Sequence, residues 1–458
     1  MKILYIGAGF VGACSAAVSA NSGHKTLVFD VDQKKVELLS SGDRDVIESC
    51  LYEKGLGDAL VRSKSYIEFT TDVKKMQNFL DDCDAVFMCL PTPEIGETGE
   101  SDLTFYTTAI ENLAQALLLR NNGAQEKYVL VINKSTVPIG TAERALGMLQ
   151  EKGVKNIGVA SNPEFLVGGK AVEGAMKPDR IVVGAKQKKD LEIMRDIYQR
   201  FYDNPEVKYI EVETAEAEAG KLLANFYLFQ KLAICFDVIG RTCEAFEGVR
   251  FESVRKILTS DKRIGSWGFY NSLYAGGSCL IKDARSLSYQ LQTTGKSADL
   301  ITQVYSANRR QLELFLSRFE AEAQGVWGGK KVAVIGLSFK RDTNDIRNAP
   351  SINIVHFLKE KNVSEIRLSD PAASDMFRML FPETAEVKYF AHEFEAAREA
   401  DVIILAADWP QYRGLADSLI EELKTKPVIM DGRRILQHRY DDLAKAGFHI
   451  IAVGSSFI

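Results

Sequence analysis

Gly7-Ala8-Gly9-Phe10-Val11-Gly12 follows the apolar run Ile3–Ile6 and opens a helical pattern. It is a G-x-G-x-x-G fingerprint. The first glycine allows a tight turn and the second lets backbone approach a pyrophosphate. The third packs helix on strand, and the helix N-terminus faces the phosphates. A second apolar run ends at Phe29 with Asp30 at its tip, 18 residues after Gly12. A carboxylate there can accept hydrogen bonds from an adenosine ribose and would repel a 2′-phosphate, which favours NAD over NADP. The alternative is a strand–turn–helix whose glycines only pack. A second glycine turn at Gly336 lacks the full fingerprint, so no second dinucleotide is expected there.

Polar residues also follow other apolar runs. In Lys134-Ser135-Thr136-Val137-Pro138 the hydroxyls can touch a ligand, or Ser135 or Thr141 can cap a helix. In Ser161-Asn162-Pro163-Glu164-Phe165, Asn-Pro signals a turn, and Glu164 is either a base or water-holder or a surface carboxylate. Lys221 and Asn225, spaced i, i+4, share one helix face among apolar neighbours, so Lys221 is a functional cation or a snorkelling side chain. Ala275-Gly276-Gly277-Ser278-Cys279 precedes Ile281-Lys282-Asp283. Its glycines let backbone approach a ligand, and a thiol beside Lys282 can become a nucleophilic thiolate; otherwise Cys279 is a buried structural thiol. The run from Lys340 to Arg347 carries three cations and either binds phosphate or is a solvated loop. The five histidines (His24, His356, His392, His438 and His449) are isolated and lack metal-ligand spacing, so no metal is expected and Lys, Cys, Asp or Glu must supply any base or nucleophile.

The elements that would position these residues fall into three parts. Strands at Ile3–Ile6, Thr26–Phe29, Ala85–Leu90, Tyr128–Ile132 and Ile157–Ala160 alternate with helical patterns, predicting βαβ units and a parallel sheet over residues 1–205. Residues 206–324 read as helical, beginning with one long helix from Glu216 to Phe246. Such a middle segment can carry a dimer contact. Residues 325–458 return to a second, degenerate doubly wound pattern, with strands at Glu365–Leu368, Asp401–Ala406, Pro427–Met430 and His449–Val453. Its start, near Lys331–Ser338, echoes Lys2–Gly9. The expected fold class is α/β: two Rossmann-like doubly wound parallel-sheet domains joined by a central long-helix all-α domain.

Composition sets the outer bounds. Apolar residues make up 46% and charged residues 26% of the 458, which excludes a disordered chain, a collagen-like fibre and a disulfide mini-protein. A net charge of -5 gives no reason to expect nucleic acid or an anionic membrane as partner. The seven scattered cysteines contain no C-x-x-C and suggest reduced thiols in a cytoplasmic protein. The start lacks a signal-peptide pattern, and uninterrupted apolar runs such as Val402–Ala407 are too short to span a bilayer.

In order along the chain stand G-A-G-F-V-G, K-S-T-V-P-I-G-T, S-N-P-E-F-L, K-P-D-R-I-V-V-G, K-L-L-A-N, R-I-G, G-G-S-C-x-x-K-D, G-L-S-F-K-R-D-T-N-D-I-R and D-G-R. Together they resemble the nucleotide-sugar 6-dehydrogenases, the UDP-glucose/GDP-mannose dehydrogenase family, with the UDP-glucose branch nearest. The resemblance covers essentially the whole chain. It implies an NAD-dependent four-electron oxidation of UDP-glucose to UDP-glucuronate. Cys279 would carry a thiohemiacetal and then a thioester. Lys221 and Asn225 match a pair that stabilises oxyanion character at C6. Asp283 matches a partner of Lys221 at a bound water, and Thr136 and Glu164 match residues that hold this water or assist hydrolysis. For NAD the match implies Gly7, Gly9, Phe10, Val11, Gly12, Asp30, Lys35, Thr92, Thr136, Lys282 and Arg347. For the UDP-sugar it implies Glu164, Phe165, Leu166, Lys221, Asn225, Tyr274, Gly276, Lys340 and Arg433. It also implies that Arg263 reaches a neighbouring subunit's substrate, in a homodimer or higher homo-oligomer.

Four segments depart from the family pattern. Cys50-Leu51-Tyr52-Glu53-Lys54-Gly55-Leu56 lacks both usual prolines, and Val167-Gly168-Gly169 lacks the usual acid. Tyr274-Ala275 replaces a Gly-aromatic pair, and Ile234-Cys235-Phe236-Asp237 replaces F-x-N-E. They leave open the same reaction on UDP-N-acetylmannosamine, UDP-N-acetylglucosamine or GDP-mannose. A two-electron β-hydroxyacid dehydrogenase or a silent nucleotide-sugar-binding protein would not need the cysteine loop.

Overall fold

Residues of β1 (Lys2–Ile6) alternate between two cores, Ile3 and Tyr5 packing on one face of a sheet and Leu4 and Ile6 on the other. A strand covered on both faces reads as a continuous apolar run, and helices from βαβ crossovers supply the cover. The protein, described here by a computed structural model covering residues 1–120, 127–270, 272–277 and 279–458, packs into two compact units. One comprises residues 1–224 and 285–296, the other residues 225–284 and 297–458. The division falls inside the long middle helix, and the helical middle is shared between the two units.

The first unit holds β1, β2 (Lys25–Phe29), β3 (Ile67–Thr70), β4 (Ala85–Met88), β5 (Val129–Asn133), β6 (Ile157–Ser161), β7 (Arg180–Gly184) and β8 (Lys208–Val212), in the order β3-β2-β1-β4-β5-β6-β7-β8. All neighbours are parallel except β6 and β7. The sequence reading missed β3, β7 and β8. The β8 side chains are half-buried or exposed, so no strong apolar run marks that strand. The order reverses between β1 and β4, so the carboxyl ends of β1, β4, β5 and β6 flank the crevice where α/β sheets bind ligands.

The second unit holds an all-parallel sheet of β9 (Lys331–Ile335), β10 (Glu365–Ser369), β11 (Val387–Tyr389), β12 (Val402–Leu405), β13 (Val428–Asp431) and β14 (Ile450–Ala452), ordered β11-β10-β9-β12-β13-β14. β11 was not foreseen. β9 sits between β10 and β12 as β1 sits between β2 and β4, so the sequence echo between Lys2–Gly9 and Lys331–Ser338 marks two equivalent first strands.

The middle helix runs α-helically over Thr214–Ala233, passes through a π-helical stretch at Ile234–Gly240 and resumes at Arg241–Ala245. The sequence spacing did not disclose the π stretch, where Asp237 pairs with Arg241 and Arg310. By length and composition Thr214–Ala245 would be long and apolar enough to cross a membrane, which a search for uninterrupted apolar runs overlooked. It nevertheless carries buried Glu218, Lys221 and Asn225.

Candidate active site

In the first unit the glycine loop has the shape the fingerprint requires. Gly7 has φ +104°, and a Cβ there would lie 2.3 Å from the Cys89 carbonyl oxygen. A Cβ on Gly12 would lie 1.9 Å from the Gly7 carbonyl oxygen, so only glycine lets this helix start so close to β1. A Cβ on Gly9 would meet no protein atom within 4 Å, which leaves the space a pyrophosphate needs. The helix Phe10–Asn21 begins there with no side-chain cap, so its first amides are available to an anion. Phe10 and Val11 are half-buried on its first turn.

Asp30 is buried at the tip of β2. Its carboxylate accepts from the Ala8 amide (2.6 Å) and the Asp32 amide (2.9 Å), and Lys35 Nζ lies 3.3 Å away. The expected ribose acceptor therefore also holds the glycine loop in place. At the β4 end, Thr92 Oγ1 donates to the Thr136 carbonyl (2.7 Å). Ser135 Oγ bonds both the amide and the carbonyl of Leu90, so it joins the β4 and β5 ends rather than capping a helix. Open space at Gly9, uncapped amides and a buried acid at β2 fit an NAD with its pyrophosphate on the helix start.

Glu164 leaves the end of β6 with both oxygens engaged. One accepts from the Leu166 amide (2.5 Å), and the other lies 3.2 Å from Lys221 Nζ. Lys221 is buried on the middle helix, and its ammonium also sits 5.1 Å from the Phe165 ring centre. Lys221 is thus no snorkelling side chain, because its charge ends inside on a carboxylate. Glu164, Phe165, Leu166 and Lys134 border a cavity of about 380 Å³.

In the second unit, Asn225 Nδ2 donates to Asp283 Oδ2 (2.5 Å), and Lys282 Nζ pairs with Asp283 Oδ1 (2.7 Å). Asp283 is buried on the helix Cys279–Thr293, four residues beyond Cys279. Cys279 is exposed at the first helical position, where the helix N-terminus favours a thiolate. Arg347, which the resemblance assigns to NAD alone, interacts electrostatically with this sulfur. Lys282, the cation first expected to stabilise the thiolate, pairs with Asp283. Cys279 is therefore not the buried structural thiol of the alternative reading.

The loop before Cys279 is clamped from several sides. Gly277 N donates to the Arg347 carbonyl (3.1 Å), Asn348 Nδ2 donates to the Gly277 carbonyl (3.1 Å), and Asn308 holds both the amide and the carbonyl of Ala275. A Cβ on Gly276 would lie 2.6 Å from the Asn348 carbonyl oxygen. Tyr274 is buried, with its hydroxyl accepting from Asn353 (2.9 Å). Arg433 reaches Ser272 Oγ (2.8 Å) and Asp408 (2.7 Å) at the ends of β12 and β13. Lys340 lies half-buried after β9, and Arg347 is exposed and paired with Asp345. Arg263 is exposed and paired with its own Asp261 (2.6 Å).

Asp370 ends β10 as Asp30 ends β2. Its carboxylate accepts from the Leu337 and Ser338 amides and from Trp409 Nε1. Ser338 stands where the first loop has Gly9, so this second turn is filled by protein.

Residues 1–202 match the NAD binding domain of the UDP-glucose/GDP-mannose dehydrogenase family, residues 215–310 its central domain and residues 333–438 its UDP binding domain. The chain belongs to the UDP-glucose/GDP-mannose dehydrogenase family. Among curated relatives, the UDP-glucose 6-dehydrogenase of Pseudomonas aeruginosa is 33% identical, with 99% of this chain and 97% of that protein covered. UDP-glucose 6-dehydrogenase TuaD of Bacillus subtilis is 30% identical, with 99% and 93% covered. Among solved structures, a UDP-glucose dehydrogenase of Pyrobaculum islandicum superposes with a TM-score of 0.84 at 29% identity, covering 96% of this chain and 95% of that one. A UDP-D-ManNAc dehydrogenase of Pyrococcus horikoshii shares the fold at TM-score 0.81 and 22% identity, with 99% of each chain covered.

Within this family member, four structural anchors escaped the sequence reading. Glu218, one turn before Lys221, accepts from the Gly140 amide (2.7 Å), the Ala142 amide (2.9 Å) and Ser161 Oγ (2.9 Å). It caps the helix Thr141–Glu151, for which Thr141 or Ser135 had been expected, and burial raises its pKa. Glu53 accepts from the Gly169 and Ala171 amides (2.8 and 2.9 Å) and holds the far end of the Glu164 segment. Lys134 and Tyr198 both meet Asn162 Oδ1. Lys134, Asn162 and Glu53 lay in segments quoted for their motifs without a role of their own, whereas Glu218 and Tyr198 stood out only as polar types within apolar patterns.

Proposed function

We propose that the chain oxidises UDP-glucose to UDP-glucuronate with two NAD per sugar, through an acyl intermediate on Cys279. It is an NAD-dependent oxidoreductase. The observation that carries the double oxidation is Cys279 itself: an exposed thiol at a helix N-terminus, four residues before a buried carboxylate tied to Asn225. A dehydrogenase that moves one hydride needs no such nucleophile.

When bound, NAD supplies a hydride acceptor. Asp30, the glycine loop and the start of Phe10–Asn21 hold it through ribose and pyrophosphate, with Lys35, Thr92 and Arg347 as further contacts. The Asn225 amide and the Lys221 ammonium stabilise negative charge on the C6 oxygen, a form of catalysis in which prepositioned donors need no reorganisation. The Cys279 thiolate adds to the aldehyde carbon and gives a thiohemiacetal, which the second oxidation turns into a thioester. Water then attacks the thioester carbonyl, the sulfur leaves as thiolate, and the carboxylate product forms. Asp283 and Glu164 serve the proton transfers, and Thr136 helps hold the water. Lys340, Arg433, Tyr274 and Gly276 bind the nucleotide-sugar side.

Homodimerisation through the middle helix belongs to the same reading. Tyr227, Ile234 and Val238 are 63%, 43% and 57% exposed along it, more apolar surface than a solvated helix carries. Arg263, exposed nearby in sequence, reaches the neighbouring subunit's substrate. All seven cysteines are free of disulfides, in keeping with a reducing, cytoplasmic setting.

The test is stoichiometry. Complete conversion of UDP-glucose yields two NADH per sugar, and one NADH would overturn the double oxidation. Cys279→Ser abolishes turnover to the acid; full turnover in that variant would remove Cys279 from the acyl role. A panel including UDP-N-acetylmannosamine, UDP-N-acetylglucosamine and GDP-mannose decides the sugar. UDP-glucose is expected to give the highest kcat/KM.

A further inference from the structure

We propose that Lys134 is a positioning residue for Glu164, acting through Asn162 with Tyr198 as co-anchor. Lys134 stands at the first position after β5, and Asn162 at the first position after β6, with their backbones joined by the Asn162 amide and the Asn133 carbonyl (2.8 Å). Inside, Lys134 Nζ donates to Asn162 Oδ1 (2.8 Å), and the Tyr198 hydroxyl donates to the same oxygen (2.7 Å). Asn162 Nδ2 donates to the Val182 carbonyl (2.7 Å) on the other side. An amide bonded at both ends cannot rotate, and Pro163 restricts the next backbone step. Glu164 follows, so its direction of departure from β6 is set by the Asn162 anchor.

Burying an ammonium is costly, and a neutral side chain could fill the same space between two strand ends. The charge therefore calls for a purpose beyond packing. Lys134 and Glu164 line one cavity, and Glu164 meets Lys221 Nζ at 3.2 Å. Two ammonium groups thus act on one carboxylate, Lys221 through a direct ion pair and Lys134 electrostatically and through the Asn162 anchor. Burial pulls the Lys134 pKa down to about 8, with Cys89 and Glu164 acting to keep it charged.

The inference rests on the reading of Glu164 as a carboxylate that serves acyl-enzyme hydrolysis. The experiment is a double-mutant cycle on the full-length enzyme, following NADH from UDP-glucose together with thermal unfolding. Lys134→Met is expected to lower kcat about 10- to 100-fold, the scale of one charge-assisted hydrogen bond, with both KM values within about 2-fold of the parent. In a Glu164→Gln background the same substitution is expected to cost less than about 2-fold, because a residue acting through Glu164 has nothing left to position. Tyr198→Phe removes only a hydroxyl from the same anchor. It is expected to lower kcat about 3- to 10-fold in the parent and not in Glu164→Gln, so it decides the question if Lys134→Met does not fold. Losses that multiply in the double variants, or a fall in melting temperature with kcat unchanged, would overturn the inference while leaving the double oxidation intact. One NADH per sugar from the parent enzyme would instead overturn the hydrolytic role of Glu164, and this inference with it.

Discussion

A buried ammonium and a buried carboxylate carry opposite consequences from those of an exposed pair, and Lys134 makes the sign concrete. Its folded pKa of about 8 lies below the ordinary 10.5 because burial penalises the charged form. Below pH 8 the folded and unfolded chains are both protonated there, and the folded state bears the full burial cost. Between pH 8 and 10.5 the unfolded chain holds more protons at this site, so stability rises with pH. The groups facing the ammonium are Cys89, pushed up to about 12 by burial, Tyr198, also raised, and Glu164. Relative to Lys134→Met, the parent should gain about 3 kcal/mol of unfolding free energy across that window. Urea denaturation of both proteins at pH 8 and pH 10.5 measures the difference, and a flat difference would mean that the amine is not desolvated. At Cys279, a thiolate favoured by a helix start and by Arg347 should be alkylated by iodoacetamide at neutral pH faster than the buried Cys14 or Cys83.

Single side chains matter here because elements hold them. The helix Phe10–Asn21 can begin at β1 only if Gly12 has no Cβ. Gly12→Ala should therefore push the helix start off the loop, raise the KM for NAD by more than about 10-fold and cost about 1–3 kcal/mol of stability. NADH kinetics and denaturant unfolding read both effects. The middle helix is fixed to the first sheet by Glu218, which satisfies three donors at once. Glu218→Ala leaves those donors buried without an acceptor and should cost about 3 kcal/mol. It should also lower kcat through Lys221, which is carried one turn further on. Retained stability in Glu218→Ala would show that water replaces the carboxylate without loss.

For the whole molecule, two sheets whose first six strands follow the same order carry different loops at their switch points. The first loop leaves room at Gly9 beside an uncapped helix, whereas the second is filled by Ser338, Asp370 and Trp409. One sheet can accept a pyrophosphate against its glycine turn, whereas the filled second turn cannot take one in the same way. The middle helix leaves Tyr227, Ile234 and Val238 exposed. If the proposed homodimer forms through this face, Tyr227→Glu should shift it from dimer to monomer in light scattering after gel filtration. It should also reduce activity at low protein concentration if Arg263 serves the partner's site, and an unchanged mass would remove this face from the interface.

Several features could be read from the sequence because local chemistry demands them. A turn as tight as the one at Gly7 needs a glycine, the acid at the tip of β2 must follow its strand, and apolar runs of five residues covered on both faces can only be buried strands. The glycine loop, Lys134–Thr136, Ser161–Glu164 and the cysteine loop each sit at a strand end or helix start, whereas Lys221 and Asn225 lie inside the middle helix and Arg263 in a turn. What the tertiary structure decided were partners distant along the chain. Lys221 could have been a snorkelling residue until Glu164 appeared beside it, from 57 positions earlier. The acceptor for the Gly140 and Ala142 amides proved to be Glu218, and Arg347, from 68 positions later, interacts electrostatically with Cys279. Lys134, Asn162 and Tyr198 meet only because β5 and β6 are neighbours and a helix returns across them. A charge is cheap in water and costly inside, so its role depends on what faces it, and that is set by the packing of segments that one-dimensional spacing leaves independent.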